Sequence, residues 1–419
     1  MPTIDTCALL SSPRVSFSTQ PPLSLYVHIP WCVRKCPYCD FNSHELRTPG
    51  AKDTHGRTLE PELEAQYVEA LMRDLEQALP QIWGRRVQSV FFGGGTPSLL
   101  SASALDQILS GIRARVQLDP SAEVTLEANP GTFEAEKFAQ FRALGVNRLS
   151  IGIQSFNARR LRALGRIHDD AEARRAVEIA RKSFDNINLD LMYALPEQAL
   201  LEAEADVCTA VDFAPQHISA YHLTIEPNTY FARFPPAVPD DEQALQMQET
   251  IETTLAESGY AHYETSAFAR AGRQCRHNLN YWRFGDYLGV GAGAHSKLSF
   301  ADRIVRQMRW KNPRDYLANT LAGRPVQSEE PVRAADVPFE FMMNALRLVD
   351  GFETALFGER TGLPLTVVME SLESAEHQGL IVRDHARIAP TLRGQRFLND
   401  LLQIFMPEGC SEDDRGGVR

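Results

Sequence analysis

The sequence has no apolar run approaching the roughly 18 residues a membrane-spanning helix needs, so no helical span is expected. Its first 22 residues lack a charged start followed by an apolar stretch, so no secretory signal is read there and the chain is expected in the cytoplasm. Basic residues are the minority: Lys plus Arg is 43 against 54 Asp plus Glu, a formal charge of −11. Such a surface repels phosphate backbones and anionic lipid, so nucleic acid is not an expected partner. Cysteine is scarce, seven in 419 residues, and an odd number does not fill a fully paired disulfide framework. There is no CxxCH, so covalent heme attachment of the c type is not indicated. What remains, 43% hydrophobic and 23% charged, is the composition of a globular protein with a large core.

From Leu23 to about Ser258, β-type runs alternate with helical ones. The strands expected are Leu23–Ile29, Val87–Phe92, Glu123–Leu126, Arg148–Ile153, Ile187–Leu191 and His217–Leu223. Helical spacing marks Tyr67–Leu79, Ser103–Arg115, Glu134–Leu144, Asp169–Ser183, Leu200–Asp212 and Glu242–Ser258; Leu105, Ile108, Leu109 and Ile112, for example, share one face. Strand–helix alternation implies a parallel sheet with helices outside it. Six units fall short of the eight that close a barrel, so the expected fold is α/β, a partial (β/α)6 barrel of the TIM type, with an open doubly wound sheet as the alternative. Gly285–Gly293 reads as a glycine-rich turn. Beyond about Arg306 the pattern turns to helices, with a short β-wing at 380–389. The division expected is therefore 1–22 poorly ordered, 23–305 the partial barrel, 306–406 a smaller helical and winged domain, and 407–419 a poorly ordered tail.

The cysteines are unevenly spread. Cys32, Cys36 and Cys39 fall on one tight loop just after the first expected strand, the end at which parallel α/β folds place their chemistry. Three thiolates there suit zinc or iron–sulfur. Zinc needs a fourth ligand, for which His44 is the nearby residue; a four-iron cluster with one iron left open needs none. An inert buried trio has little packing reason to exist.

CxxxCxxC after a strand resembles the signature of the radical S-adenosylmethionine (SAM) superfamily, and the wider string YVHIPWCVRKCPYCDFNSH resembles the group of oxygen-independent coproporphyrinogen III oxidases (dehydrogenases) and their heme-chaperone relatives. The resemblance implies a [4Fe-4S] cluster on Cys32, Cys36 and Cys39, with SAM on the open iron and reductive cleavage to a 5′-deoxyadenosyl radical as the chemistry available to it. It also implies SAM contacts for Tyr26, Tyr38, Gly94, Gly95 and Thr96 of FGGGTP, Glu127 of LEANPG, Gln154 of IGIQSF, Arg166 of LGRIH and Asp190 of NLDLMY. Singly, each is an ordinary hydrogen-bonding group; in register, they form a pattern.

Two features divide the group. The dehydrogenase pattern carries a fourth cysteine where this chain has Phe41, and a longer leading segment, so decarboxylation of coproporphyrinogen is not expected. The string His277-Asn278-Leu279-Asn280-Tyr281-Trp282 resembles the HNxxYW motif of the heme-chaperone branch, which implies heme near His277, Asn278 and Tyr281; Cys275 is a second candidate axial ligand. A core histidine with satisfied hydrogen bonds is the competing reading. The function implied is a heme chaperone that passes heme to a respiratory acceptor protein, touching the membrane face briefly, with self-pairing left open. The alternatives are a porphyrinogen dehydrogenase, an RNA-modifying radical SAM enzyme and a zinc-stabilised binding module.

Overall fold

The computed structural model describes residues 14–46, 59–132 and 135–407. Its centre is six parallel strands, β1 (Leu23–Ile29), β2 (Arg86–Gly94), β3 (Gln117–Ala128), β4 (Arg148–Gln154), β5 (Ile187–Tyr193) and β6 (His217–His222), lying side by side in chain order. A doubly wound sheet reverses at a switch point. No reversal occurs among these six, so the partial barrel is the architecture and the doubly wound alternative falls.

Helices α1 (Pro61–Ala78), α2 (Ala102–Arg115), α3 (Ala135–Leu144), α4 (Asp170–Ser183), α5 (Leu200–Asp212) and α6 (Asp241–Glu257) follow the strands. Several starts are set locally. Ser101 Oγ accepts from the Ala104 N–H at 3.1 Å, and Asp169 with Glu172 and Asp240 with Gln243 close capping boxes. Outward side chains such as Val27, Phe92, Leu126, Ile151 and Leu189 join Leu71, Ile108 and Val177 of the helices in one buried core.

The inward faces differ. Ser24, Tyr26 and His28 on β1 share a face by strand alternation, as do Glu123, Thr125 and Glu127 on β3. A parallel sheet covered on both sides by apolar layers carries near-continuous apolar strands; alternation here means a polar lumen. Tyr26, Phe91, Glu127, Gln154 and Asp190 are mostly buried but keep some exposure, while their outward neighbours are buried, so solvent reaches the upper lumen.

Further strands extend the sheet: β7 (Ala261–Glu264), β8 (Ala267–Ala269), β9 (Asp286–Val290), β10 (His295–Ser299), β11 (Ile304–Arg309) and β12 (Val326–Pro331). β8 pairs antiparallel with β6, and β9 pairs parallel with β1. The expected turn at Gly285–Gly293 is thus largely a strand. Gly289 is there for closeness: a Cβ would stand 2.1 Å from the His295 carbonyl oxygen on the adjoining hairpin strand. Asp286, fully buried, meets Lys297 on the adjoining β10 at 3.0 Å and Arg85, just before β2, at 2.9 Å.

The boundary expected at 305/306 falls inside β11; the sheet continues to Pro331, and the second domain's helices begin at Val337. Its core holds Phe341, Phe352, Phe357, Leu372, Ile388 and Leu401. The expected wing has a third strand, Phe352–Glu353, beside 387–390. Residues 14–22, expected to be poorly ordered, are held: Val15 is buried in this second core, and the Ser16 N–H donates to the Gly362 carbonyl at 3.0 Å. The rest of both expected disordered ends, 1–13 and 408–419, and residues 47–58 lie outside the described residues. No described helix is long and apolar enough to cross a membrane.

Candidate functional site

The cysteine loop leaves β1 at its carboxyl end. It is closed at its base by a parallel pairing of Trp31–Cys32 with His44–Glu45. All three thiols are half-buried. Thr96 Oγ1 donates to Cys32 Sγ at 3.5 Å, Arg166 Nη1 donates to Cys36 Sγ at 3.6 Å, and Ser43 Oγ lies 3.7 Å from Cys39 Sγ. Burial pushes the Cys32 thiol up to about 11 and raises Cys39, so without a bound cation these two sulfurs hold their protons; binding metal there means releasing them.

Among the described residues no three His, Cys, Asp or Glu side chains close on one point as a single zinc ion requires. His44 has another partner, its Nε2 lying 3.3 Å from Asn42 Oδ1. A cubane puts each cysteine on a different iron, so its thiolates need no common point.

The other implied residues gather around the same mouth. Arg166 bridges it: besides Cys36, its Nη2 donates to the Gly152 carbonyl at 2.7 Å near the end of β4, and its buried Nε has no partner. Gln154 ends β4 with φ +68°, a left-handed conformation that a non-glycine residue adopts at a cost. Glu127, near the end of β3, is partly buried and accepts from the Gly94 N–H at 3.2 Å. Burial first, then the nearby Asp190, pushes its carboxyl up to about 8. Asp190 lies deeper, accepting from Ser150 at 2.9 Å and Asn188 at 2.8 Å. Thr125 Oγ1, also in the lumen, is buried without a partner. Tyr38 packs with Phe231, Leu164 and Leu195 beside the cysteines, and burial raises its phenol.

The glycine turn does something the sequence reading missed. A Cβ on Gly94, at φ +111°, would stand 2.4 Å from the His28 ring, and one on Gly95 would stand 2.5 Å from the Trp31 carbonyl oxygen. Gly95 and Thr96 donate their N–H groups to Ile29 and Trp31 at 2.8 and 2.7 Å. These glycines first let β2 approach the root of the cysteine loop.

His28 was not singled out in the sequence, although it lies two residues from Tyr26 on the same strand face. Its Nδ1 lies 3.1 Å from Tyr26 Oη and its Nε2 3.0 Å from the Asn42 carbonyl oxygen, joining the lumen to the cysteine loop. Asn42 Nδ2 in turn donates to the carbonyls of Ala292 and Lys311.

The implied heme residues are elsewhere. They sit on α7 (Arg276–Trp282), which crosses the amino ends of the strands. His277 is 1% exposed; its Nδ1 lies 2.9 Å from Ser89 Oγ and its Nε2 3.0 Å from Tyr281 Oη. Cys275 is fully buried and donates to Glu123 Oε1 at 3.6 Å. Both ring nitrogens of His277 have hydrogen-bond partners and Cys275 is enclosed, an arrangement that matches the competing core-histidine reading of His277. The site does not fit a heme iron in this conformation.

Residues 26–206 match the radical SAM superfamily model, and residues 332–397 match the HemN C-terminal domain. The heme chaperone HemW of Escherichia coli K12 is 47% identical over 392 residues, covering 93% of this chain and 99% of that one. The heme chaperone HemW of Haemophilus influenzae is 46% identical over 93% and 99%, and that of Bacillus subtilis 32% over 92% and 99%. Among solved structures, the coproporphyrinogen III oxidase HemN of Escherichia coli, described as a radical SAM enzyme, aligns with TM-score 0.76 over 92% of this chain and 90% of that one. At 23% identity, that likeness shows the fold.

Proposed function

The chain belongs to the HemW heme-chaperone family of the radical SAM superfamily, and on that premise we propose that it holds a four-iron cluster on Cys32, Cys36 and Cys39, binds SAM beside it, and carries heme to an acceptor protein. The observation that carries the cofactor part is the Arg166 bridge: one guanidinium reaches both Cys36 Sγ and the Gly152 carbonyl, so the thiols stand over the open lumen where Glu127 and Gln154 end their strands. When bound, such a cluster supplies a vacant iron for SAM and an electron for its sulfonium.

The chain's own residues hold and shield. Glu127 accepts from the ribose hydroxyls in place of solvent. Tyr26 and Asp190 line the lumen, Gln154 and the Gly94–Thr96 turn fit the methionyl end, and Tyr38 with Phe231 covers the cysteine loop. Arg166 places its positive charge 3.6 Å from the Cys36 sulfur.

Heme is cargo, received by a heme-dependent respiratory protein on the cytoplasmic side. A porphyrinogen dehydrogenase is the second reading, disfavoured because the position of its fourth cysteine is taken by Phe41, whose side chain is 61% exposed.

One anaerobic experiment tests the proposal: reconstituted protein is titrated with hemin, incubated with SAM and a reductant, and offered coproporphyrinogen. Iron, sulfide and a heme absorption band are expected, without protoporphyrinogen. Colourless protein lacking sulfide sinks the cluster, absent heme binding sinks the carrier role, and porphyrinogen turnover selects the dehydrogenase.

A further inference from the structure

Resting on the reading of Tyr26 as a SAM contact, we infer that α7 is the floor of the SAM chamber and that its His277 is a positioning residue for Tyr26 rather than a ligand for heme iron.

The imidazole lies under the lumen's two aromatic walls, its ring centroid 5.0 Å from Phe91 and 6.4 Å from Tyr26. From above, His28 stands 5.8 Å from the Tyr26 ring and meets its hydroxyl. Tyr26 is thus held between two histidines, the lower one fixed at three points: Ser89 on Nδ1, Tyr281 on Nε2, and Glu123 Oε1, which accepts the His277 backbone N–H at 3.2 Å. A ring with both nitrogens bonded cannot turn without leaving a buried polar group unpaired, and that cost keeps Tyr26 and Phe91 at one height.

Other members of the motif have partners of the same kind. Asn280 Nδ2 donates to the Asp286 carbonyl at 2.8 Å, and Gly285 has no side chain because a Cβ would stand 1.9 Å from Asn280 Oδ1. Tyr281 meets the Tyr287 ring edge-on at 4.6 Å. The Trp282 ring lies 4.3 Å under the Arg347 guanidinium, and Arg347 reaches Glu264 at 3.5 Å, so the helix also fastens the second domain to the barrel. A spacing that resembles a heme motif is accounted for here by floor packing, and an iron at either nitrogen would require α7 to leave its seat.

The test uses reconstituted full-length protein carrying Ser89→Ala, Tyr281→Phe or His277→Gln, with SAM affinity by calorimetry and hemin titration followed in the Soret band. Ser89→Ala and Tyr281→Phe each remove one partner and leave the ring; about three- to tenfold weaker SAM binding is expected from a lost buried hydrogen bond, with iron content and Soret position unchanged. His277→Gln keeps a donor and an acceptor and should bind SAM better than His277→Ala. Unchanged SAM affinity in both partner variants overturns the inference, as does a shifted or lost Soret band in His277→Gln. If the unmodified protein takes up no heme, the carrier proposal fails while the SAM comparison still decides the role of His277. Should His277→Ala fail to fold, the milder Tyr281→Phe carries the decision.

Discussion

Arg166 Nη1 and Cys36 Sγ lie 3.6 Å apart, bringing a residue from beyond β4 onto a loop that follows β1. The contact makes the cysteine loop part of the barrel mouth.

Replacing Arg166 by Gln removes the cation beside the sulfur and the bridge to Gly152. A charge-assisted bond of this kind contributes on the order of 1–3 kcal/mol. The expected result is about tenfold weaker SAM binding and a lower iron content after reconstitution, read by calorimetry and metal analysis. Wild-type values for both would remove Arg166 from the site.

Cys36→Ser is expected to abolish the cluster, because three thiolates are the smallest set that holds it. Iron and inorganic sulfide in anaerobically reconstituted protein measure this, with circular dichroism as the control for folding. A normal iron content refutes the assignment.

Glu127 gives a pH signature. Its carboxyl, raised to about 8 from the ordinary 4.5 by burial and then by Asp190, is protonated in the folded cofactor-free protein where the unfolded chain is ionised. The folded state then binds more protons between about pH 4.5 and 8. This group's contribution to stability is accordingly full below the lower limit, declines as pH rises through the window, and is lost above the upper one. SAM, whose ribose hydroxyls would donate to the carboxylate, should bind more tightly as pH rises toward 8. Tyr26, Asp190 and Tyr221 are titratable groups that interact with Glu127. Glu127→Gln should flatten both dependences; unchanged slopes would mean the carboxyl is not the group titrating.

Gly94→Ala and Gly84→Ala separate strain from collision. Both glycines have positive φ, +111° and +75°, but only at Gly94 does an added Cβ meet a neighbour, the His28 ring at 2.4 Å. Gly84→Ala should cost about 1–2 kcal/mol, the left-handed penalty alone, and Gly94→Ala distinctly more, read as the difference in denaturant midpoints. Equal losses would mean that the His28 ring yields freely.

Much of the barrel was legible in the chain. β1, β4 and β5 begin where their apolar alternation begins, and α4 and α6 begin at acidic caps, because these signals are local. Gly285–Gly293 was not legible: its glycines look like a turn, yet Gly289 is small so that β9 can lie against the next hairpin strand, a neighbour sequence patterning does not reveal. The cysteine loop was legible through its spacing. His28 was not, because one histidine in an apolar strand carries no sign of what its two nitrogens reach.

The sequence by itself determined the strand–helix rhythm, the three sulfurs at a strand's carboxyl end and the absence of a fourth, since these depend on residue type and spacing along one segment. The tertiary structure decided that the lumen is polar and open, that Arg166 belongs with the cysteines, and that His277 lies beneath Tyr26 with both nitrogens occupied. A hydrogen-bonding group shows in the sequence only its capacity; which partner fills it depends on strands distant in the chain and adjacent in space.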